Sequence, residues 1–472
     1  MSSPSYDRWG VTVYEGDCLD VLRQFPDGHF AAVVTDPPYS YRFMNRSWDA
    51  HESPLAFQRW CEGWARECLR VLKPGGMMLA FGGTRTFHRL TCGIEDAGFE
   101  IRDSIDSLGM RISWVHSQGM PKGINISKQI DKMAGAEREV IGRYQHPGEK
   151  PGWSENPSCN EPRSSQTTYG VYATRVGNVT APATDAARQW EGWNTQLRPS
   201  HEPIICARKP FPGTVAGNVL AHGTGGLHVD ACRVSTADGD YAHPGNENRK
   251  HTDTAYGYCE HEGRQAPPHS GGRWPSNVVL SHAPSVDPAT GEVMGDACAD
   301  ECVDECPVRE LTTQGGERSS WMAKTNGTIA TANDVYGKFG PRPVGPQNQY
   351  GDSGSAARFF PCFRFEAKAP TAERPRVAGE SHSTVKPLAL MRWLVRLVTP
   401  PDGTVLDCFA GTGVTGQAAR AEGFQAVLID SDPAAIPWIV ARLDAHPRED
   451  KPTTAQPAAR QVQPDLFGGA TS

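Results

Sequence analysis

DCFAGTGVTG runs from Asp407 to Gly416, between the apolar run Thr404–Leu406 and a segment with helical spacing. Gly411, Gly413 and Gly416 satisfy G-x-G-x-x-G, and Asp430 closes the next apolar run, Gln425–Ile429. Glycines at a strand-to-helix turn allow a tight corner and let a ligand approach the backbone. An acid at the end of the following strand can accept hydrogen bonds from ribose hydroxyls. The glycine pattern alone also fits a plain turn. With the strand, the helix and the spaced acid it predicts a nucleoside-binding α/β unit. Whether the nucleoside belongs to NAD or to S-adenosylmethionine is left open by these residues.

A second corner narrows the choice. TDPPYSY, Thr35 to Tyr41, follows the apolar run Phe30–Val34. Open α/β sheets bind ligands at the carboxyl ends of their strands. Pro37 and Pro38 lack an N–H, so this turn offers acceptors without competing donors. The Asp36 carboxylate and the Pro37 carbonyl can both accept from one amino group, and Tyr39 offers a flat face to a base. An exocyclic amine on an aromatic ring is a poor nucleophile. Acceptors on its hydrogens stabilise the positive charge that develops as it attacks. An NAD-dependent oxidoreductase would explain the glycine stretch but gives TDPPY nothing to do.

Around these corners the chain reads in three sections. Residues 10 to 145 alternate strands and helices, with strands at Val11–Tyr14, Phe30–Val34, Met77–Phe81 and Ile112–His116. Ser53 and Pro54 predict a helix start. Leu55, Trp60, Cys61, Trp64, Cys68, Leu69 and Leu72 then recur at helical spacing, with Pro74-Gly75-Gly76 as the stop. Another helix is expected from Phe87 to Ala97. From 145 to 360 there is little periodicity, with short strands expected at Asn218–Leu220 and Asn277–Leu280. From 380 to 445 alternation returns, with a helix face at Leu388, Met391, Leu394, Leu397 and Val398. Two α/β halves around a foreign middle predict one sheet, split in sequence and joined in space. Pro437 should kink or shorten the helix after Asp430, making cofactor packing there less regular.

The 472 residues carry a net charge of -7, which argues against a surface coated in basic residues but leaves room for a local basic groove. No apolar run approaches a membrane span, and the first ten residues lack a signal pattern. A cytoplasmic location is expected, with the 13 cysteines as free thiols rather than a disulfide framework. Cys298, Cys302 and Cys306 are evenly spaced by four. Metal ligands more often come as C-x2-C pairs, so no metal is expected. His222 and His228 near Asp230 are read as ordinary loop histidines.

Asp36–Tyr39 taken with Asp407–Gly413 resembles the amino-methyltransferases that act on DNA. DPPY comes first, FxGxG last, and a large insertion lies between, an order that resembles the permuted beta class. EGDCLDVL (Glu15–Leu22), RVLKPGGMMLAF (Arg70–Phe81), ARFFPCFRFEAKAPTAERP (Ala357–Pro375) and HSTVKP (His382–Pro387) resemble further family segments. SWVHSQGMPKGINISKQID and QWEGWNTQLRPSHEPIICARKP are similar to phage- and prophage-associated members. The resemblance implies a Rossmann-like α/β fold, circularly permuted, with a loop-rich recognition region inserted. It implies S-adenosylmethionine as cofactor, held by Asp17, Thr384, Lys386, Asp407, Phe409, Ala410, Gly411, Thr412, Gly413 and Asp430. Asp36, Pro37, Pro38 and Tyr39 would carry the chemistry on a flipped-out base, with adenine N6 expected and cytosine N4 as the alternative.

The organisation implied is a catalytic half at 1–145, an insertion returning to the sheet at 146–209, target recognition at 210–356, a cofactor half at 357–445 and a disordered tail at 446–472. Arg233, Arg249, Lys250, Arg264, Arg273, Arg318, Lys324 and Lys338, interleaved with Trp274, Trp321 and Tyr350, fit either a solvated surface or, taken together, a set of phosphate contacts with a few base contacts among them. The partner implied is double-stranded DNA, with no membrane. A homodimer and a nuclease partner are left open.

Overall fold

The computed structural model describes residues 3–41, 49–109, 124–143, 178–195, 201–234, 273–282, 307–316, 360 and 385–445, with short strand pieces between 318 and 381. Among the described residues, its centre is a ten-stranded sheet. In chain order the strands are β1 (Tyr6–Arg8), β2 (Val11–Glu15), β3 (Phe30–Thr35), β4 (Leu72–Phe81), β5 (Glu100–Gly109), β6 (His201–Arg208), β7 (Val278–His282), β8 (Cys362–Arg364), β9 (Thr404–Asp407) and β10 (Gln425–Asp430). Across the sheet they run β1-β2-β10-β9-β3-β4-β6-β5-β7-β8.

Strands β2, β10, β9, β3 and β4 are parallel neighbours. Strand β6 is antiparallel to both β4 and β5. The two halves of the sequence therefore share one sheet, with Val405 and Leu406 paired to Ala32 and Val33. From β9 the chain moves outward to β10, and from β3 it moves the other way to β4. Between β9 and β3 the direction of winding reverses, and the loops leaving their carboxyl ends diverge around a crevice. One of those loops is the glycine stretch. The other is DPPY.

Helices cover both faces. One face carries α1 (Cys18–Leu22), α2 (Pro54–Val71) and α3 (Phe87–Asp96). Smaller satellites are α4 (Ile126–Met133), α5 (Asp185–Gln189), α6 (Val215–His222) and α7 (Pro307–Gly315). The other face carries α8 (Leu388–Val398), α9 (Val414–Ala421) and α10 (Ala435–Ala445). Strand β3 is buried along its whole length. Ala32 and Val34 pack under α8–α10, while Val33 packs under α1–α3. Burial on both faces is why this strand reads as an unbroken apolar run rather than an alternation.

Several expectations hold and others are corrected. Ser53 caps α2 by accepting from the Ala56 N–H at 3.1 Å, and Pro54 takes the first helical position. Leu55, however, faces solvent. The helix stops at Val71, before the Pro-Gly-Gly stop, because the residue before a proline disfavours helical backbone. Lys73–Gly76 instead join β4, with a register shift against β3 between Phe30 and Ala32. Asn218–Leu220 is not a strand. It lies in α6, which Thr214 caps through the Gly217 N–H, and the Asn218 amide is held by the Pro74 and Thr224 carbonyls. Pro437 does not break α10 either. It falls in the first turn, where its missing N–H has no intrahelical partner to lose. Strand β7 contains the expected Val278–Leu280 and joins the main sheet beside β5. The expected strand Ile112–His116 and the tail from 446 lie outside the described residues. No helix among the described residues is long and apolar enough to cross a membrane.

Candidate functional site

The three loop glycines have different surroundings. A Cβ on Gly413 would meet Ile439 at 2.8 Å, and one on Gly416 would meet Leu428 at 2.7 Å. Both are packing glycines that bring α9 close to its neighbours. Gly411, at φ +53, would meet nothing within 4 Å. This is the loop position where a ligand has room against the backbone. The loop is held from below. Arg442, buried, donates through Nε to the Thr412 carbonyl at 2.8 Å and through Nη1 to Gln417 Oε1 at 2.7 Å. Ala410 is buried, and its N–H donates to the Ile429 carbonyl. Phe409 packs on Trp60 and Trp64, with ring centroids 5.6 and 5.4 Å away.

Asp430, at the end of β10, accepts from the Gly411 N–H at 2.7 Å and the Asp432 N–H at 2.9 Å. Each carboxylate oxygen keeps a further acceptor site. Burial pushes its pKa up, while the two N–H donors oppose the rise. The Gly16 N–H donates to the Asp430 carbonyl, so exposed Asp17 stands at the next strand end, capping α1 through the Leu19 N–H. Asp17, Asp430, Gly411 and Asp36 thus stand along one edge of the sheet, at the ends of β2, β10, β9 and β3. Thr384 lies outside the described residues.

Asp407 has a different place from a ligand-facing acid. It is buried, and its carboxylate accepts from Thr35 Oγ1 at 2.7 Å, Thr415 Oγ1 at 2.6 Å and the Phe409 N–H at 3.1 Å. It clips β3 to the glycine loop across the crevice. Desolvation raises its pKa from 3.8 to about 6 despite these hydrogen bonds. The folded state therefore binds this proton more tightly than the unfolded chain. Its contribution favours folding below the unfolded pKa and is lost as pH rises through the folded one. Against an Asp407→Asn variant, wild-type unfolding free energy should decline by about 3 kcal/mol between these pH limits. Denaturant titrations of both proteins across that range check the slope. A difference independent of pH would contradict the assignment.

The DPPY corner forms a compact polar cluster. Tyr39 Oη lies 2.6 Å from Asp36 Oδ1 and 2.7 Å from Glu202 Oε1. Lys386 Nζ lies 2.7 Å from the same Glu202 oxygen, 3.0 Å from Tyr39 Oη and 3.3 Å from Asp36 Oδ2. A single phenolic proton cannot serve both carboxylates at once, and the ammonium supplies the remaining donors. The side chains of Asp36 and Glu202 are 35% and 32% exposed, so the cluster opens on one side. Burial raises the Asp36 pKa; Lys386 opposes that rise and Glu202 adds to it. Burial and the two carboxylates hold the Tyr39 phenol well above its usual pKa, so it stays protonated. Burial pulls Lys386 down, but Asp36 and Glu202 outweigh it and its pKa is raised.

The surrounding loop is fixed by its own contacts. Asp49, buried, accepts from the Ser40 N–H at 2.6 Å and the Tyr41 N–H at 3.0 Å, with Ser40 at φ +58. Thr86 Oγ1 donates to the Tyr39 carbonyl at 2.7 Å. Tyr39 and Tyr41 close over Gly83, where a Cβ would meet the Tyr41 hydroxyl at 2.5 Å.

The structure gathers Asp36, Pro37, Pro38, Tyr39 and Lys386 at one corner and Phe409–Gly413 with Asp430 at the adjoining one. Lys386, which the resemblance assigns to the cofactor, has its ammonium on Asp36 and Glu202. Sequence reasoning missed Glu202. Its signal was an acid–proline pair ahead of the apolar run Ile204–Ala207. Because β6 is antiparallel, its first residues arrive at the edge where the parallel strands end. Cys298, Cys302 and Cys306 lie outside the described residues, as do Arg249, Lys250, Arg264, Lys324, Lys338, Trp321 and Tyr350. His222 closes the last turn of α6, and Asp230 pairs with Arg233 at 2.8 Å. Among the described residues no group of three or more His, Cys, Asp or Glu could hold a metal ion.

Comparison with known proteins gives the family. The chain is 33% identical over 73 residues to the Type II methyltransferase M.BamHI of Bacillus amyloliquefaciens, covering 15% of this chain and 16% of that protein. It is 23% identical over 108 residues to the Type II methyltransferase M.HinfI of Haemophilus influenzae, covering 20% and 30%. The matches thus span less than a third of either curated relative. A solved structure from Thermus thermophilus, described as a DNA modification methylase complexed with S-adenosyl-L-methionine, aligns over 90% of each chain at 15% identity with a TM-score of 0.33. A family model described as DNA methylase matches residues 30–441. That match spans both corners and most of the chain between them, and the chain belongs to this DNA methylase family.

Proposed function

We propose that this chain transfers a methyl group from S-adenosylmethionine to the exocyclic amino group of a DNA base, at N6 of adenine, in a site-specific manner. The observation that carries the reading is the Asp36–Pro37 acceptor corner at the end of β3, set beside the glycine loop across the point where the sheet reverses. The open side of Gly411, the remaining acceptor sites of Asp430, the half-buried Phe409 and the exposed Asp17 fit a nucleoside lying along this edge. When bound, the cofactor supplies an electrophilic methyl carbon on a sulfonium.

The protein's own work lies in orientation and charge. Asp36 and the Pro37 carbonyl would accept from the amino group, orient it toward the methyl carbon and stabilise the positive charge on its nitrogen until that nitrogen gives up its surplus proton. Such an amine is paired within a duplex, so the base must leave the stack to reach Asp36. The DPPY strand precedes the glycine-loop strand in the chain, which supports the permuted, beta-class arrangement. The Type II relatives support a restriction–modification setting and double-stranded DNA as substrate. Cytosine N4 chemistry is the second reading, since that amine could donate to the same pair. The acid at position 36 favours adenine, because it resembles the adenine-acting members, whereas cytosine-acting members often carry serine there. Nucleoside mass spectrometry of DNA from expressing cells decides between them. N6-methyladenine is expected, and N4-methylcytosine as the only new nucleoside would reverse the choice.

Target recognition is proposed for the segment 210–356. Its strand β7 belongs to the main sheet, with Val279 and Leu280 buried, so removing the whole segment would damage the fold. A smaller excision is available. Val234 and Arg273 pair backbone to backbone at 2.9 and 2.8 Å, which brings the ends of 235–272 together. Replacing 236–271 with a short Gly/Ser linker should leave cofactor binding intact and abolish or relax the methylated motif. Methylome sequencing is the measurement. An unchanged motif would place recognition elsewhere.

A further inference from the structure

The acceptor corner has a difficulty of its own. Asp36 Oδ1 is within reach of the Tyr39 hydroxyl, and Oδ2 is within reach of the Lys386 ammonium. A carboxylate capped on both oxygens is a weakened acceptor for anything else. Glu202 sits where it can relieve this. Its Oε1 is approached by both donors, and Lys386 lies nearer to it, at 2.7 Å, than to Asp36, at 3.3 Å.

We propose that Glu202 is a positioning residue for methyl transfer: its carboxylate draws the Lys386 ammonium away from Asp36 and shares the Tyr39 hydroxyl with it, leaving Asp36 the better able to accept from the target amine. This rests on the methyltransferase reading above. The scaffold suits the task. Glu202 is paired with Ser107 on β5, and the next residue, Pro203, accepts from the Gly82 N–H at 2.9 Å at the end of β4. The carboxylate is thus carried on backbone tied to both neighbouring strands. Among the described residues, the charged and titratable groups in contact with it are Tyr39 from the loop after β3 and Lys386 ahead of α8, with Asp36 held by the same two groups; Asp106 on β5 is registered with Pro203 and so belongs to the opposite face of the sheet. Without the Glu202 charge, Asp36 would be the remaining carboxylate partner of Lys386 among the described residues.

The test is single-turnover methyl transfer by the full chain, using labelled S-adenosylmethionine and unmethylated genomic DNA, across the acid-to-neutral range. Glu202→Gln keeps the shape but is a poorer acceptor. Its neutral-pH rate should fall about tenfold or more, with cofactor affinity unchanged. Glu202 contributes to the raised pKa of Asp36, so its loss should also move the acid limb of the rate profile to lower pH. Glu202→Asp, which keeps the charge, should return the limb to the wild-type position with an intermediate rate. A Glu202→Gln rate like wild type would overturn the proposal. So would a lowered rate with the acid limb unmoved, or one matched by lost cofactor affinity, since either marks a merely structural role. If Glu202→Gln fails to unfold cooperatively, Glu202→Asp decides, and a displaced limb in that variant overturns the proposal. A wild-type protein that transfers no methyl at any pH would instead sink the underlying reading.

Discussion

Asp36→Ala should lower the single-turnover rate of methyl transfer by about 10³-fold or more while cofactor affinity stays near wild type. The carboxylate is proposed to meet the base, not the cofactor. Its loss removes one of two acceptors aimed at the developing charge. The corner should keep its shape, because Tyr39 and Lys386 retain Glu202 as a common partner at 2.7 Å each. Asp36→Asn keeps an oxygen acceptor but no charge, and should fall between wild type and alanine. Separate measurement of cofactor binding by calorimetry and of the chemical step by rapid quench checks the division. Near-full turnover in Asp36→Ala would remove the acceptor pair from the mechanism.

Gly411→Val should do the opposite kind of damage. A Cβ here meets nothing in the protein within 4 Å, so the added side chain enters the open space proposed for the ligand. Affinity for S-adenosylmethionine should fall about 100-fold or more, as expected when a well-packed contact surface is displaced. The branched residue at φ +53 should also cost about 1–3 kcal/mol of stability. Calorimetric titration and thermal unfolding read the two effects separately. The same titration of wild type with NAD should show no binding. Wild-type cofactor affinity in Gly411→Val would show that the open side of this glycine faces no ligand. Gly413→Val makes an informative contrast. Its Cβ would meet Ile439 at 2.8 Å, so its damage should appear first in stability.

What could be read from the sequence follows physical range. Local features were legible: the Ser53 cap, the apolar run of β3, the helical stripe of α8 and the turn at Gly411 each rest on neighbouring residues. Short segments with mixed signals were not. Asn218–Leu220 reads as a strand fragment until Thr214 is seen to cap a helix there. Pro437 reads as a helix breaker until the helix is seen to begin at Ala435. Long-range pairings were the least legible. Asp36, Glu202 and Lys386 meet only because β6 enters antiparallel between β4 and β5 and α8 starts at the same edge. Nothing in the spacing of residues 36, 202 and 386 encodes that strand order. For the same reason the sequence did not show that Asp407, assigned by resemblance to the cofactor site, is buried and accepts from Thr35 and Thr415.

Incubating the purified full chain with labelled S-adenosylmethionine and unmethylated genomic DNA, then digesting the DNA and identifying the labelled nucleoside, tests the central claim most directly. The proposed function predicts label in N6-methyladenine, strongly reduced when Asp36→Ala replaces the wild type. Label in N4-methylcytosine would move the target base and leave the corner standing. DNA carrying no more label than a control without enzyme would contradict the proposed methyl transfer itself.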